Sequence, residues 1–515
     1  MILLAAAPWV FGSFSPAFAH GFGQRYDLPL PLPLYLSAAA AAVALSFVVI
    51  SLFVRGRTGP GHNPHLNLLH TRIGRLLAHP VLATACKSVS VGLFFLAILT
   101  GFFGSERPRD NLTPTLVWVI WWVGLAYVSA LIGNLWALIN PWKVLFSWIE
   151  ALSPPLKPSG GLSLKLPYPS WLGVWPGLLL FFIFAWIELA YSGRTQPANL
   201  AFFIILYSVT TWLGMFLFGK ERWCQSGEAF SIAFSLLARF APTEVRVTNP
   251  ARCASCSLDC RDARGQCINC YECFASAEHS DRELNLRPFA AGLLREETVS
   301  LSMAGFTILM LATVTFDGFT ATPVWANLEN LLEELFGFLK ILPFLRQDSV
   351  KSLALLLFPT IFVAVYLSVC GLMVAVSGAK VPLEEMARIF VFSLIPISLA
   401  YHLAHYLSYL LIQGQLIIPL LSDPFGYGWD LWATANYQIN IAIVGARFTW
   451  WMSVVSIVMG HIIAVYLAHV IALRSLPEQE AALRSQYPML ALMVGYTVVS
   501  LWIIAQPIVE SSPKG

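Results

Sequence analysis

Ten times along the chain the mixture of polar and apolar positions gives way to an apolar run, at about 34–54, 81–103, 113–133, 171–192, 198–219, 298–316, 351–376, 389–412, 448–473 and 488–506. A helix needs about 20 mostly apolar residues to cross the hydrocarbon core of a bilayer. Each run therefore predicts one membrane-spanning helix, and the fold class is an all-α polytopic bundle. Two intervening segments exceed simple turns. In 317–350 the stretch NLENLLEELFGFLKIL repeats its apolar positions at helical spacing, which predicts a helix lying on the membrane surface. In 413–447 the stretch SDPFGYGWDLWATAN is rich in turn residues and aromatics, as a folded cap would be. NPWKVLFSWIEAL at 140–152 suggests another interfacial helix.

Composition agrees with the pattern. The chain is 57% hydrophobic and 11% charged, which excludes a water-soluble globule. Its net charge of +3 is uninformative, but the placement of the charges is not. The segments 55–80, 134–170, 220–297, 377–388 and 474–487 carry 21 Lys and Arg, against 9 on the alternate side. By the positive-inside rule the basic segments face the cytoplasm and both mature termini face outward. Residues 1–19 end in A-F-A and read as a secretory signal. Cleavage there would leave His20 first, where an amino group and an imidazole can chelate copper, although His20 also fits as the plain start of a tail. The expected organisation is a first half-bundle at 20–219, a cytoplasmic loop at 220–297 and a second half-bundle at 298–515.

That loop holds ARCASCSLDCRDARGQCINCYEC, with Cys253, Cys256, Cys260, Cys267, Cys270 and Cys273. Thiols on the cytoplasmic side stay reduced, and clustered ones bind metal. CINCYEC matches the first three ligands of the ferredoxin run C-x2-C-x2-C-x3-C-P, but the fourth position is Ala277. One 4Fe–4S cluster would therefore need a thiolate from Cys253, Cys256 or Cys260. Zinc on Cys253, Cys256, Cys267 and Cys270, as two C-x2-C knuckles, is the competing arrangement. A thiol redox switch is a third. Cys86, Cys224 and Cys370 stand apart, as small apolar packing residues would.

The spans also carry ionisable residues. His402 and His405 share a helix face at i, i+3, and His461 and His469 lie in the next span. Such groups usually face a bundle interior and mark functional sites. His402, His461 and His469 are candidates to hold haem or copper, to serve a quinone site, or simply to hydrogen-bond across helices. His402, His405, His461, Asp317 and Glu188 are the catalytic candidates, with Asp423 and Asp430 possible outer partners and Asp423 equally suited to starting a turn. The chain has no nucleotide-binding Gly-rich loop, G-x-S-x-G turn or H-E-x-x-H helix. No nucleic-acid partner is expected.

Two resemblances add to this reading. CINCYECFASAEHSDRELNLRP resembles ferredoxin-type segments of membrane maturation proteins of the nitrous-oxide-reductase and cytochrome-oxidase copper-assembly kind. It implies a ligand role for the cysteines. Across most of the chain, HGFGQRYDLPLPLPLYL, NLTPTLVWVIWWVG, NPWK, FAWIELAYSG, FGKERW, VTFDGF, SDPFGYGWDLW and GHIIAVYLAH together resemble a bacterial integral-membrane family named fenitrothion hydrolase. That implies a multi-pass protein of the bacterial inner membrane and hydrolysis of an organophosphorus triester. Metal-bound water would suit such chemistry. The residues favour a membrane metalloprotein with a redox or metal-handling role, working with quinone or a redox partner protein. Triester hydrolysis is the alternative.

Overall fold

The computed structural model describes residues 31–54, 65–152, 161–251, 253, 260–261, 265–295, 299–335, 348–378, 380–476 and 478–506. The proposed signal segment, His20 and Cys256 lie outside them. Ten helices are long and apolar enough to cross a membrane. They are α1 (Leu32–Phe53), α2 (Pro80–Phe103), α3 (Leu112–Leu131), α4 (Ser170–Leu189), α5 (Pro197–Phe218), α6 (Leu301–Thr320), α7 (Ser349–Ser377), α8 (Leu383–Ser422), α9 (Ala446–Ser475) and α10 (Gln479–Ile504). Each covers one of the apolar runs, and the bundle is all-α as the pattern predicts.

Burial sorts the spans. Phe306, Ala312 and Phe316 of α6 and Phe390, Ser393 and Tyr401 of α8 are sealed from solvent. By contrast Phe53 of α1, Phe103 of α2 and Leu356 of α7 are exposed, as lipid-facing residues would be. α6 and α8 are therefore the central spans, and α4 and α9 beside them add Glu188, His461 and His469 to the polar groups of the interior. Close approach is purchased with small residues, as is general in membranes: a methyl group at Gly460 of α9 would collide with Ala400 Cβ and the Pro396 carbonyl of α8. α8 itself is interrupted by 3-10 turns at Val391–Leu394 and Gly414–Leu416.

α3 has an unusual interior. Thr115–Gly124 is a π-helical stretch, a widened winding that is often found at functional sites. Its start is pinned by Asn111, whose side chain accepts from the Thr113 amide at 2.9 Å and donates to the carbonyls of Thr100 and Ser105 at 2.8 Å each.

The loops meet in two groups, one at each end of the bundle. On the cysteine-bearing face Thr243 donates to the Ile132 carbonyl at 2.5 Å, Lys143 pairs with Glu272 at 3.1 Å, Lys220 with Glu150 at 2.9 Å, and Arg474 donates to the Leu294 carbonyl at 2.8 Å. On the opposite face the Ser105 amide donates to Phe425 at 2.7 Å and the Ser192 amide to Asp348 at 3.2 Å. The segments grouped by their basic residues thus assemble at one face.

The cysteine-bearing face also holds a small antiparallel sheet that the apolar runs do not announce. Its strands, β1 (Leu66–Asn67), β2 (Thr243–Val247), β3 (Cys267–Ile268) and β4 (Arg282–Leu286), are ordered β1-β4-β2-β3. Residues alternate sides along a strand, so Val245 and Val247 of β2 turn to one face and are buried there with Phe274 and Ala277. The sheet is fixed to the bundle by Arg287. This side chain donates to Glu244 and to the Ala241 and Arg239 carbonyls. Arg239 in turn lies over the Phe392 ring of α8 at 4.6 Å.

Candidate functional site

Two polar constellations stand out. The first is the thiol centre. β3 pairs with β2 so that Cys267 lies opposite Val247 and Ile268 opposite Arg246. The chain then turns through Asn269, which adopts a left-handed φ of 55°. Asn and Gly tolerate this conformation best. Both its amide and its side chain bond to Val245 of β2, at 2.7 and 3.1 Å. Cys270 follows at the start of the helix Tyr271–Ser276, and Cys273 projects from that helix. A bridge between Arg261 and Cys267 brings Cys260 alongside.

The result is convergence. The Sγ atoms of Cys253, Cys267 and Cys273 lie within 4.8 Å of one another, and all three residues are buried. They can hold a metal ion. Cys260 Sγ is 3.6 Å from Cys267 Sγ, which is 3.8 Å from Cys273 Sγ. Hydrogen bonds from Cys260 and Cys267 hold the Cys270 thiol far below its usual range, against the opposing effect of burial. No described cysteine is in a disulfide. Cys253 comes from the first half of the motif and Cys267 and Cys273 from the second, so one centre draws on both. Ala277, at the position of the absent ferredoxin ligand, is buried against the same cluster.

Charged residues join the centre to the bundle. Glu272 lies between Cys270 and Cys273 and pairs with Lys143. Burial pulls the Lys143 ammonium down, but Glu272, then Cys224 and Glu221, outweigh it and hold it above its usual range. Burial and a hydrogen bond to Glu272 push Glu221 up to about 7. Glu272 is held low by Lys143 despite its burial. The Lys143–Glu272 pair ties the Tyr271–Ser276 helix to the segment that begins at Pro141.

The second constellation lies inside the membrane. Asp317 accepts from Tyr406 Oη at 2.5 Å and is paired with His405 Nε2 at 2.9 Å. The sequence placed Asp317 in an outer loop. The structure corrects this, because the apolar TVTFDGF carries α6 on to Thr320 and Asp317 sits in its last turns, facing α8. Tyr406 lies between two histidine rings, 4.7 Å from His402 and 4.7 Å from His405. On the far side of Tyr406 a cavity of about 30 Å³ is bordered by Glu188, His402, Tyr406, Ser398 and Trp122. This is room for one or two water molecules. His402 Nε2 is buried there without a protein partner.

The remaining candidates go different ways. His461 Nδ1 donates to the Ile457 carbonyl at 2.8 Å. A carbonyl only accepts, so the neutral ring keeps its lone pair on Nε2, which is buried without a partner. Its ring packs on Tyr496 of α10, whereas His402 faces Trp122 and Tyr127 of α3. The two histidines thus pack on different neighbours, α10 for His461 and α3 for His402. His469 bonds through both nitrogens, to Gln486 and to the Val54 carbonyl at 2.8 Å each, and ties α9 to α10 and α1. Neither nitrogen is left to ligate a cofactor. Asp423 accepts from the amides of Tyr427 and Gly428 at 3.0 and 2.6 Å, and Asp430 accepts from the Ser422 hydroxyl and the Ala435 amide at 3.2 and 3.0 Å. Both shape the outer cap.

Tyr406, Lys143, Glu221 and Glu272 escaped the reading of the sequence. Tyr406 adjoins His405, and Glu272 stands inside CINCYEC, so adjacency was the available signal. Comparison with protein-family models, curated proteins and solved structures returns no match. The geometry therefore carries the functional argument.

Proposed function

We propose that this protein is a membrane-bound metalloprotein of the electron-transfer class, with thiolate-bound iron at the cysteine-bearing face. The observation that carries the reading is the convergence of Cys253, Cys260, Cys267, Cys270 and Cys273 on a sheet clamped to the bundle. Spacing refines it. A single tetrahedral ion with metal–sulfur bonds of about 2.3 Å needs sulfurs about 3.8 Å apart. The separations of 3.6 and 3.8 Å support one ion. In a four-iron cube the thiolates bind separate irons and radiate outward, which spreads them more widely.

Anaerobic purification, metal and sulfide analysis, and absorption spectra before and after dithionite test this. We expect about one iron per chain without matching sulfide, and bands that bleach on reduction. Zinc alone would remove the redox role. Four irons with four sulfides would restore the cube.

One observation favours triester hydrolysis instead: Asp317 orients the His405 imidazole as a base would be oriented. Among the described residues, however, the gathering of three potential metal ligands occurs at the thiols and not at these groups. Turnover of a phosphotriester that is abolished by Asp317→Asn and His405→Ala would move the assignment to hydrolysis.

A further inference from the structure

A large cavity, lined by none of the histidines, lies apart from both constellations among the described residues. It has a volume of about 1080 Å³ and lies among α2, α3, α4 and α5. Beside α2 it runs from Ala85 to Ala97, roughly 18 Å at 1.5 Å per residue. Aromatic rings make much of its wall, and most of their polar atoms are already committed to the protein. Tyr207 donates to Glu228 at 2.5 Å, Trp136 to the same carboxylate at 3.3 Å, Trp142 to Ser208 at 2.7 Å, Trp118 to the Arg194 carbonyl at 3.0 Å, and Tyr127 to the Leu403 carbonyl at 2.8 Å. The cavity is left with ring faces and aliphatic carbon. Such a wall takes flat or hydrocarbon groups and offers water nothing.

Its inner end decides the occupant. Trp142 lines that end, and the next residue, Lys143, grips Glu272 between Cys270 and Cys273. Cavity and thiol centre thus lie on the two sides of one helix start. A membrane-soluble molecule that is flat, long and redox-active fits this position, whereas a phospholipid would bring a charged headgroup that the wall does not serve.

We propose that the cavity binds an isoprenoid quinone, with its tail along α2 and its ring toward Trp142. The proposal rests on the electron-transfer reading above. It gives that reading a substrate class.

The test uses the full-length protein in mild detergent. Organic extracts are assayed for quinone per chain. The protein is then titrated with a benzoquinone carrying a ten-carbon chain, followed by quenching of tryptophan fluorescence. We expect near-stoichiometric quinone in the extract and saturable quenching. Leu93→Phe and Ile204→Phe, which add bulk to the lining from α2 and from α5, should weaken binding at least tenfold while metal content and elution volume stay unchanged. Metal content shows that these variants have folded. Equal competition by a ten-carbon alcohol lacking the ring would overturn the proposal in favour of a lipid-chain pocket. Unchanged affinity in both filled, metal-loaded variants would overturn it too. Saturable quinone binding by protein that holds only zinc would uphold the site and sink the redox reading instead.

Discussion

At the scale of single residues the thiol centre makes the sharpest demands. Cys267 is the hub, close to Cys260, Cys273 and Cys253. Cys267→Ser should lower bound metal at least tenfold, measured by elemental analysis, whereas Cys86→Ser, far from the centre, should leave it unchanged. Glu221 adds a pH dependence. Its folded value of about 7 lies above the ordinary 4.5, so the folded state binds the extra proton between those limits. Stability from this group is full below about pH 4.5 and is lost as pH rises through 7. Glutamine mimics the protonated acid. Glu221→Gln should therefore match the wild-type melting temperature at pH 5 and exceed it at pH 7.5, as a thermal-shift series would record.

At the scale of elements the sheet and the π-helical stretch decide what the helices alone cannot. The Arg287–Glu244 pair is buried on both sides, with side-chain exposures of 6% and 4%. Removing one partner of a buried pair strands the other and costs about 3–5 kcal/mol. Glu244→Ala should destabilise the cysteine-bearing face by that amount. Metal should then be released at a lower temperature than the bundle unfolds, visible as two separate transitions in calorimetry. The spans were legible because about 20 apolar residues suffice to mark each one. The sheet was not, because strands of two to five residues leave too short a pattern. TEVRV and RELNL do alternate, but only pairing at a distance makes them strands. The cysteines were readable as a group from spacing alone. Which sulfurs meet was not, since the 253–260 half approaches through tertiary contacts with β3. Asp317 was misplaced because an acidic residue looks like the end of a span unless its partners on α8 are known.

At the scale of the whole molecule, ten spans put the start of α1 and the end of α10 at one face and the thiol centre at the other. Of the five basic segments that suggested an inward orientation, 55–80, 134–170 and 474–487 are joined to 220–297 at the cysteine-bearing face. We propose that this face is cytoplasmic. An alkaline phosphatase reporter fused after Gln506 should be active, and one fused after Leu476 inactive; the reverse pattern would invert the molecule. The acidic and histidine groups of the spans lie in α4, α6, α8 and α9 and turn toward the bundle interior, where ionisable side chains are sheltered from lipid.

The π-helical stretch of α3 has one more consequence. Trp121 borders the large dry cavity, and its neighbour Trp122 borders the small polar one. One pair of adjacent indoles is thus a partition between two compartments of opposite character. Insulation here depends on ring bulk. Shaving Trp122 to alanine would join the compartments, let water leak from the Glu188 side, and wet a chamber walled mostly by ring faces and aliphatic carbon.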